Sequence, residues 1–392
     1  MISRQPTAVS GEYFQIIPEY ESKKLVVYFT ATTASSGLYN FWKAGNAIKT
    51  NRIFVSSRRS WYQNGVSGLG SSVEETVESI FKWAEYLNVE EIYTVGGSMG
   101  GYGAVLLGCL LNARIMAFSF ETELDLEGSR SRKLMDPGTE IKYRDLKSLI
   151  EGARKPIFAI IGEQDAIDCY SISRVIEATM LKAKSMRGIM HGPQFYLNEN
   201  ERLVSLLEDF LQDFDEMPKM REDGDIFDRI GFPELFYEVH KLHARRQWDA
   251  TLERGREALK IMPMSDQCNW LVGEALMRLE RFSDAYPYIF TAISLNNVPM
   301  RHSGGNARHF HLSLANCLRR MNHDLDAINM YKELMSAWPE HAPVHYGLGL
   351  SYLRVGKLDL AGFEFREASR IEPQNETYAS RARKYAKFHG LT

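Results

Sequence analysis

Three residue types in the first half of the chain have the makings of covalent acyl chemistry. A serine hydroxyl is a weak nucleophile at neutral pH. It needs an imidazole to take its proton, and a carboxylate to fix the imidazole's tautomer and stabilise its charged form. The serine is Ser98 in Gly96-Gly97-Ser98-Met99-Gly100, where the run Tyr93-Thr94-Val95 gives way to the small residues Gly100-Gly101-Tyr102-Gly103-Ala104. G-x-S-x-G between a strand and a helix is the signature of a nucleophile elbow, a turn so tight that Gly96 and Gly100 must be small for the two elements to approach. The Met99 N–H, at the start of that helix, is the expected oxyanion donor. The bland alternative is a Gly-rich turn with no chemistry.

Elimination finds the base. Of ten histidines only His191 precedes residue 231, in Gly188-Ile189-Met190-His191-Gly192-Pro193. The acid is sought after the buried run Pro156-Ile157-Phe158-Ala159-Ile160-Ile161, which ends in Gly162-Glu163-Gln164-Asp165. Asp165 is the expected acid, with Asp168 or Glu163 able to take the role and Glu121 a more distant alternative. A loop from Ser57 to Gly65 leaves the same edge. Its Trp61 and Tyr62 either line a substrate pocket or pack on a neighbouring helix.

These residues need a scaffold, and the hydrophobic pattern supplies one. Runs at Tyr13–Ile17, Leu25–Thr30, Ile53–Ser56, Ile92–Val95, Ile115–Phe120 and Ile157–Ile161 read as strands, with a weaker one at Arg187–Met190. Val73–Leu87, Gly100–Leu111, Ile141–Glu151, Ser171–Lys184 and Glu201–Phe214 carry apolar residues at helical spacing. Alternation of this kind predicts an α/β unit with a mainly parallel sheet over residues 1–215. Residues 216–231 are rich in acids, with Pro218 and Gly224, and read as a linker.

Beyond residue 232 the strands vanish and a period of about 34 residues emerges, predicting an all-α solenoid over 232–392. The last unit has Leu348-Gly349, Tyr352, Gly356, Ala361, Phe365, Ala368 and Pro373. One period back stand Leu314, Leu318, Ala327, Tyr331 and Pro339, then Val272-Gly273, Leu276, Ala285 and Ala292, then Leu242, Ala258 and Pro263. About four repeats and a capping helix near Glu376–Phe388 are predicted, with an insertion around Asn297–Ala307. Arg278, Arg320 and Arg354 recur at one slot, with Arg319 beside them. They are a candidate groove for an acidic protein segment or anionic glycan, unless they are solvated helix arginines or dock on the acidic linker.

Composition sets the outer limits. The 392 residues carry a net charge of -3, which gives no global reason to expect nucleic acid. The four cysteines fall in no metal-ligand or disulfide spacing, and no P-loop is present, so no metal or other cofactor is expected. No apolar stretch suits a signal peptide or membrane span, so a cytoplasmic address is expected.

Residues 11–215 resemble an α/β-hydrolase, and Gly97-Ser98-Met99-Gly100-Gly101-Tyr102-Gly103 is similar to the elbow of bacterial carboxylesterases. Residues 232–392 resemble tetratricopeptide repeats. The order Ser98, Asp165, His191 is that of the α/β-hydrolases. The resemblance implies a second oxyanion donor after the third strand, the N–H of Thr30 or Ala31, although the His-Gly-Gly-Gly form of that loop is absent. It implies an esterase, with a small ester or an O-acylated glycan as substrate. An acyltransferase or thioesterase, or an adaptor built on a spent scaffold, stays open.

Overall fold

The computed structural model describes residues 8–32, 37–212, 216–296 and 307–386. It divides into two compact units, Met1–Tyr237 and Glu238–Thr392.

In the first unit a short antiparallel start, β1 (Val9–Ser10) and β2 (Phe14–Ile17), leads into β3 (Lys24–Phe29), α1 (Trp42–Ala47) and β4 (Asn51–Val55). Then come α2 (Val73–Tyr86), β5 (Glu91–Gly97), α3 (Met99–Leu110), β6 (Arg114–Phe118), α4 (Arg130–Leu134), α5 (Lys147–Glu151) and β7 (Ile157–Gly162). The unit's sheet ends with α6 (Ala166–Ser173) and β8 (Leu181–Met186), and α7 (Pro193–Glu199) and α8 (Leu203–Leu211) follow. The eight strands lie in the order β1-β2-β4-β3-β5-β6-β7-β8. β2 runs antiparallel to β4, and all pairs from β4 to β8 are parallel.

Parallel strands are buried on both faces, which is why β4 and β7 are buried throughout. Alternation decides which helix each residue meets. Tyr28 and Phe54 crowd Gly45 of α1, whereas Phe29 meets Tyr62, whose ring covers Gly103 of α3. The two helices therefore cover opposite faces. Because the chain passes from β3 to β4 on one side and then crosses to β5 on the other, a crevice opens where the β3 and β5 loops diverge, the usual place for a ligand. Ser98 stands there.

Two expectations need correction. Ser171–Lys184 is no single helix: α6 stops at Ser173, and Leu181–Met186 is the eighth strand, so Arg187–Met190 is loop. Leu181, Ser185 and Met186 are buried while Lys182 is exposed, and the lysines in the strand hid it from a hydropathy reading. Nor is 216–231 a free tether. Asp223 bridges to Met186, Arg187 N–H donates to the Glu222 carbonyl, and the N–H groups of Asp225 and Ile226 donate to the buried Glu163 carboxylate.

The helix α9 (Phe232–Ala244) crosses the unit boundary. Its first turns stay with the first unit: Tyr237 stacks on Tyr170 at 4.5 Å and donates to the Glu127 carbonyl. The second unit continues through α10 (Trp248–Ile261), α11 (Asp266–Arg278), α12 (Phe282–Leu295), α13 (Ala307–Arg320), α14 (Asp324–Ala337), α15 (Ala342–Arg354), α16 (Leu358–Ile371) and α17 (Glu376–Lys384). It is an all-helical stack of paired helices. Gly349 lets the Phe365 ring of the paired helix close in, Gly273 does the same for Ile289, and Tyr331 fills the gap to Gly347 of the next unit. The insertion expected at Asn297–Ala307 lies, but for Ala307, outside the described residues. No described helix is long and apolar enough to cross a membrane.

Candidate active site

Ser98 joins β5 to α3 with φ 58° and ψ −125°, a conformation costly for a residue bearing a Cβ. Its neighbours impose that turn. A Cβ on Gly96 would lie 2.0 Å from the Gly100 carbonyl oxygen, and one on Gly100 would lie 2.3 Å from the Phe29 oxygen. The Ser98 N–H donates to the Phe118 carbonyl of β6 at 2.9 Å, and its carbonyl accepts from Tyr102 to begin α3. Serine is a favoured helix cap, yet the Ser98 hydroxyl does not cap α3. Met99 takes the first helical position, where an N–H has no acceptor within the helix.

The histidine reaches the same edge by a glycine hinge. Gly192 adopts φ 104°, and its N–H donates to Ser119 Oγ just beyond β6. Gln164 N–H donates to the Ile189 carbonyl, and Gly162 has no room for a side chain against Met190. The His191 loop is thus seated on the ends of β6 and β7. Two residues into α7, the Gln194 carboxamide lies against Gly97, leaving no space for a Cβ there.

The carboxylate on His191 is Asp168, and Asp165 does not fill that place. Asp168 Oδ2 lies 2.8 Å from His191 Nδ1; the aspartate side chain is fully buried, and that of the histidine is 16% exposed. Asp165 is the N-cap of α6: its Oδ1 accepts from the N–H groups of Ile167 and Asp168, and its Oδ2 sits 2.5 Å from Arg130 Nη2. Both its oxygens are committed. Asp168, one helical turn on, has its Oδ2 against His191 instead. A proton on Nδ1 shared with Asp168 leaves Nε2 as the acceptor, and Nε2 is buried without a hydrogen-bond partner.

Arg130 was not singled out from the sequence. Besides Asp165, it approaches Asp168 Oδ1 at 3.8 Å. Burial pushes the Asp165 carboxyl up, but Arg130, followed by His191, outweighs this and holds it well below the usual carboxylate range. Asp165, Asp168 and His191 could together offer ligands to a metal, their nearest atoms lying within 4.8 Å of one another. The guanidinium already supplies a cation to both carboxylates. Glu121 accepts from the N–H groups of Arg130 and Ser131 and so anchors α4, with burial raising its carboxyl. Glu163 serves Ser185 and the 225–226 backbone. Neither is free to serve His191.

Thr30 and Ala31 are differently placed from expectation. Thr30 N–H donates to Val55 O at 3.0 Å and Tyr62 OH at 2.8 Å, and Ala31 N–H donates to Asn40 Oδ1 at 2.7 Å. Each already has an acceptor. Trp61 and Tyr62 are core residues, 2% and 0% exposed, and Tyr62 OH bonds both N–H and carbonyl of Thr30. Tyr62 braces the loop after β3, and both rings belong to the core.

In the second unit, the repeated arginines end the first helix of their pairs and reach back to the preceding turn. Arg354 pairs with Asp324 at 3.2 Å and donates to the Arg319 carbonyl, while Arg320 pairs with Glu280 and lies over Phe282 at 4.4 Å. Arg278 pairs with Glu274 and faces Trp248. Arg278, Arg319 and Arg320 also border one cavity of about 270 Å³; Arg354 does not.

No protein-family profile and no curated protein matches the chain. Solved structures similar to it include the MamA protein (16% identity, 41% of this chain and 83% of that one, TM-score 0.35). Another is YrrB, described as a TPR protein with an unusual peptide-binding site (17% identity, 57% and 93%, TM-score 0.36). A third is the TPR domain of Arabidopsis OM64 (17% identity, 31% and 94%, TM-score 0.28). At these scores the likeness carries no argument about activity.

Proposed function

We propose that the first unit is a serine hydrolase of α/β-hydrolase type that cleaves an acyl ester, with Ser98 as nucleophile, His191 as base and Asp168 as its orienting acid. The observation that carries the reading is the buried His191–Asp168 pair, with a free Nε2, on a loop seated over the strand that pins Ser98. In the reaction Ser98 Oγ bonds to the ester carbon as His191 takes its proton. The Met99 N–H faces the developing oxyanion, the C–O bond to the alcohol breaks, and His191 returns the proton to the leaving oxygen. Water then repeats the sequence to release the acid and restore Ser98.

A fluorophosphonate should label the wild type and spare Ser98→Ala, and an activated acetate ester should be turned over only by the wild type. Full labelling of Ser98→Ala, or full turnover by His191→Ala, refutes the assignment.

A second reading is an adaptor, in which the repeat unit binds an acidic partner and the first unit only carries it. The repeat stack and its arginine-bordered cavity favour partner binding. The two readings separate on whether Ser98→Ala alters function in a cell while leaving partner capture intact. A hydrolase loses function; an adaptor does not.

A further inference from the structure

Beside the candidate active site, on the side of α1, lies a cavity of about 430 Å³. Its wall is largely apolar, formed by Leu38, Phe41, Trp42 and Phe195 among others, and its size is that of a pocket for a small organic group. Three connections tie it to Ser98. Gln194, on its wall, presses its carboxamide against Gly97, the residue before Ser98. Asn40, also on its wall, accepts from Ala31 N–H at the end of β3, the strand paired with β5. Phe41 stacks on Phe118 at 6.1 Å, and it is the Phe118 carbonyl that holds the Ser98 N–H. The cavity therefore shares the side chain of Gln194 with the turn that carries Ser98. Gln194 is 5% exposed, and its Oε1 has no hydrogen-bond partner, so the wall offers an unpaired acceptor within a mainly apolar surface.

We propose that this cavity receives the acyl chain of the substrate, and that the preferred substrates are esters of unbranched, apolar acids longer than acetate. The inference rests on the hydrolase reading and narrows it. An acetyl group would leave the apolar wall facing water; a longer unbranched chain would cover it. A second cavity gives the contrast. Bordered by Ser56, Ser57, Ser60, Asn64 and Thr139 among others, it has a more polar wall, so an apolar chain gains less there.

The test is a series of p-nitrophenyl esters from acetyl to octanoyl, beside a series of alkyl acetates in which only the alcohol lengthens. Each methylene entering the cavity should raise kcat/KM about two- to four-fold, as expected for burial of one CH₂. The alkyl acetates should show no such slope. Leu38→Asp, at an exposed position on the cavity wall, should reduce the octanoyl-to-acetyl ratio about ten-fold or more, and Trp42→Ala provides a second, milder probe. Ser98-dependent turnover with a flat or falling acyl series, or a slope confined to the alcohol, overturns this inference alone. Absence of any Ser98-dependent turnover overturns the hydrolase reading and this inference with it.

Discussion

Asp168→Asn and Asp165→Asn are isosteric changes at two buried aspartates one helical turn apart, and the geometry assigns them opposite consequences. At 2.8 Å from His191 Nδ1, Asp168 holds the tautomer with the proton on Nδ1. An asparagine there can turn its NH₂ toward Nδ1, which places the proton on Nε2 and removes the acceptor that Ser98 requires. In a serine triad that change lowers kcat by about 10⁴, or about 5.5 kcal/mol of transition-state stabilisation. Asp165→Asn should keep its cap on Ile167 and Asp168, because asparagine caps as well as aspartate. What it loses is the ion pair at 2.5 Å to Arg130. Removing one partner of a buried pair costs about 3–5 kcal/mol, a ceiling here because Asp168 Oδ1 is 3.8 Å from the same guanidinium. Asp165→Asn should therefore unfold more easily yet stay within about ten-fold of wild-type turnover once folded. The assay is kcat for an activated ester beside a urea titration of each variant. Near-normal turnover by Asp168→Asn, with Asp165→Asn folded but inactive, would refute the assignment of the acid.

Four further outcomes follow from the same geometry. Ser98→Gly should abolish activity while raising the melting temperature of the first unit by about 2–4 °C, since glycine relieves about 1 kcal/mol net of backbone strain at φ 58°; a lowered melting temperature would mean the turn is unstrained. Gly100→Ala should cost more than about 3 kcal/mol or prevent folding, because its Cβ would meet the Phe29 carbonyl at 2.3 Å and neither backbone can yield; soluble, active protein would contradict this. In the repeat unit, burial, with His240 and Arg278 adding to it, lowers the His243 pKa to about 4. The unfolded chain binds that proton near pH 6.5 and the folded unit does not, so stability is complete above pH 6.5 and declines toward pH 4, a dependence that denaturation of His243→Phe should show weakened. Arg354→Ala should destabilise the stack by about 1–2 kcal/mol, through loss of Asp324 and the Arg319 carbonyl, and a denaturation midpoint unchanged by it would return this arginine to the role of a free cation.

The sequence by itself determined whatever rests on local pattern. The elbow was legible because Gly96 and Gly100 flank a serine between an apolar strand pattern and a small-residue helix pattern, and the turn leaves no room for a Cβ at either glycine. The repeats were legible because each unit buries its face on the next, so the same small and aromatic residues return at a fixed period. His191 was singled out by elimination, as the one histidine of the first unit. Tertiary structure alone decided the rest, in each case because a side chain's role depends on partners distant in sequence. Asp165 and Asp168 follow β7 closely, and Arg130, from α4, hydrogen-bonds the Asp165 carboxylate while Oδ2 of Asp168 is left to His191. Trp61 and Tyr62 look suited to a pocket until β3 and α3 close over them. β8 escaped notice because its lysines answer to acids elsewhere, Lys184 pairing with Asp223 thirty-nine residues on. The same holds for the repeated arginines: the period placed them in one slot, but only stacking revealed that the slot reaches the turn of the preceding repeat.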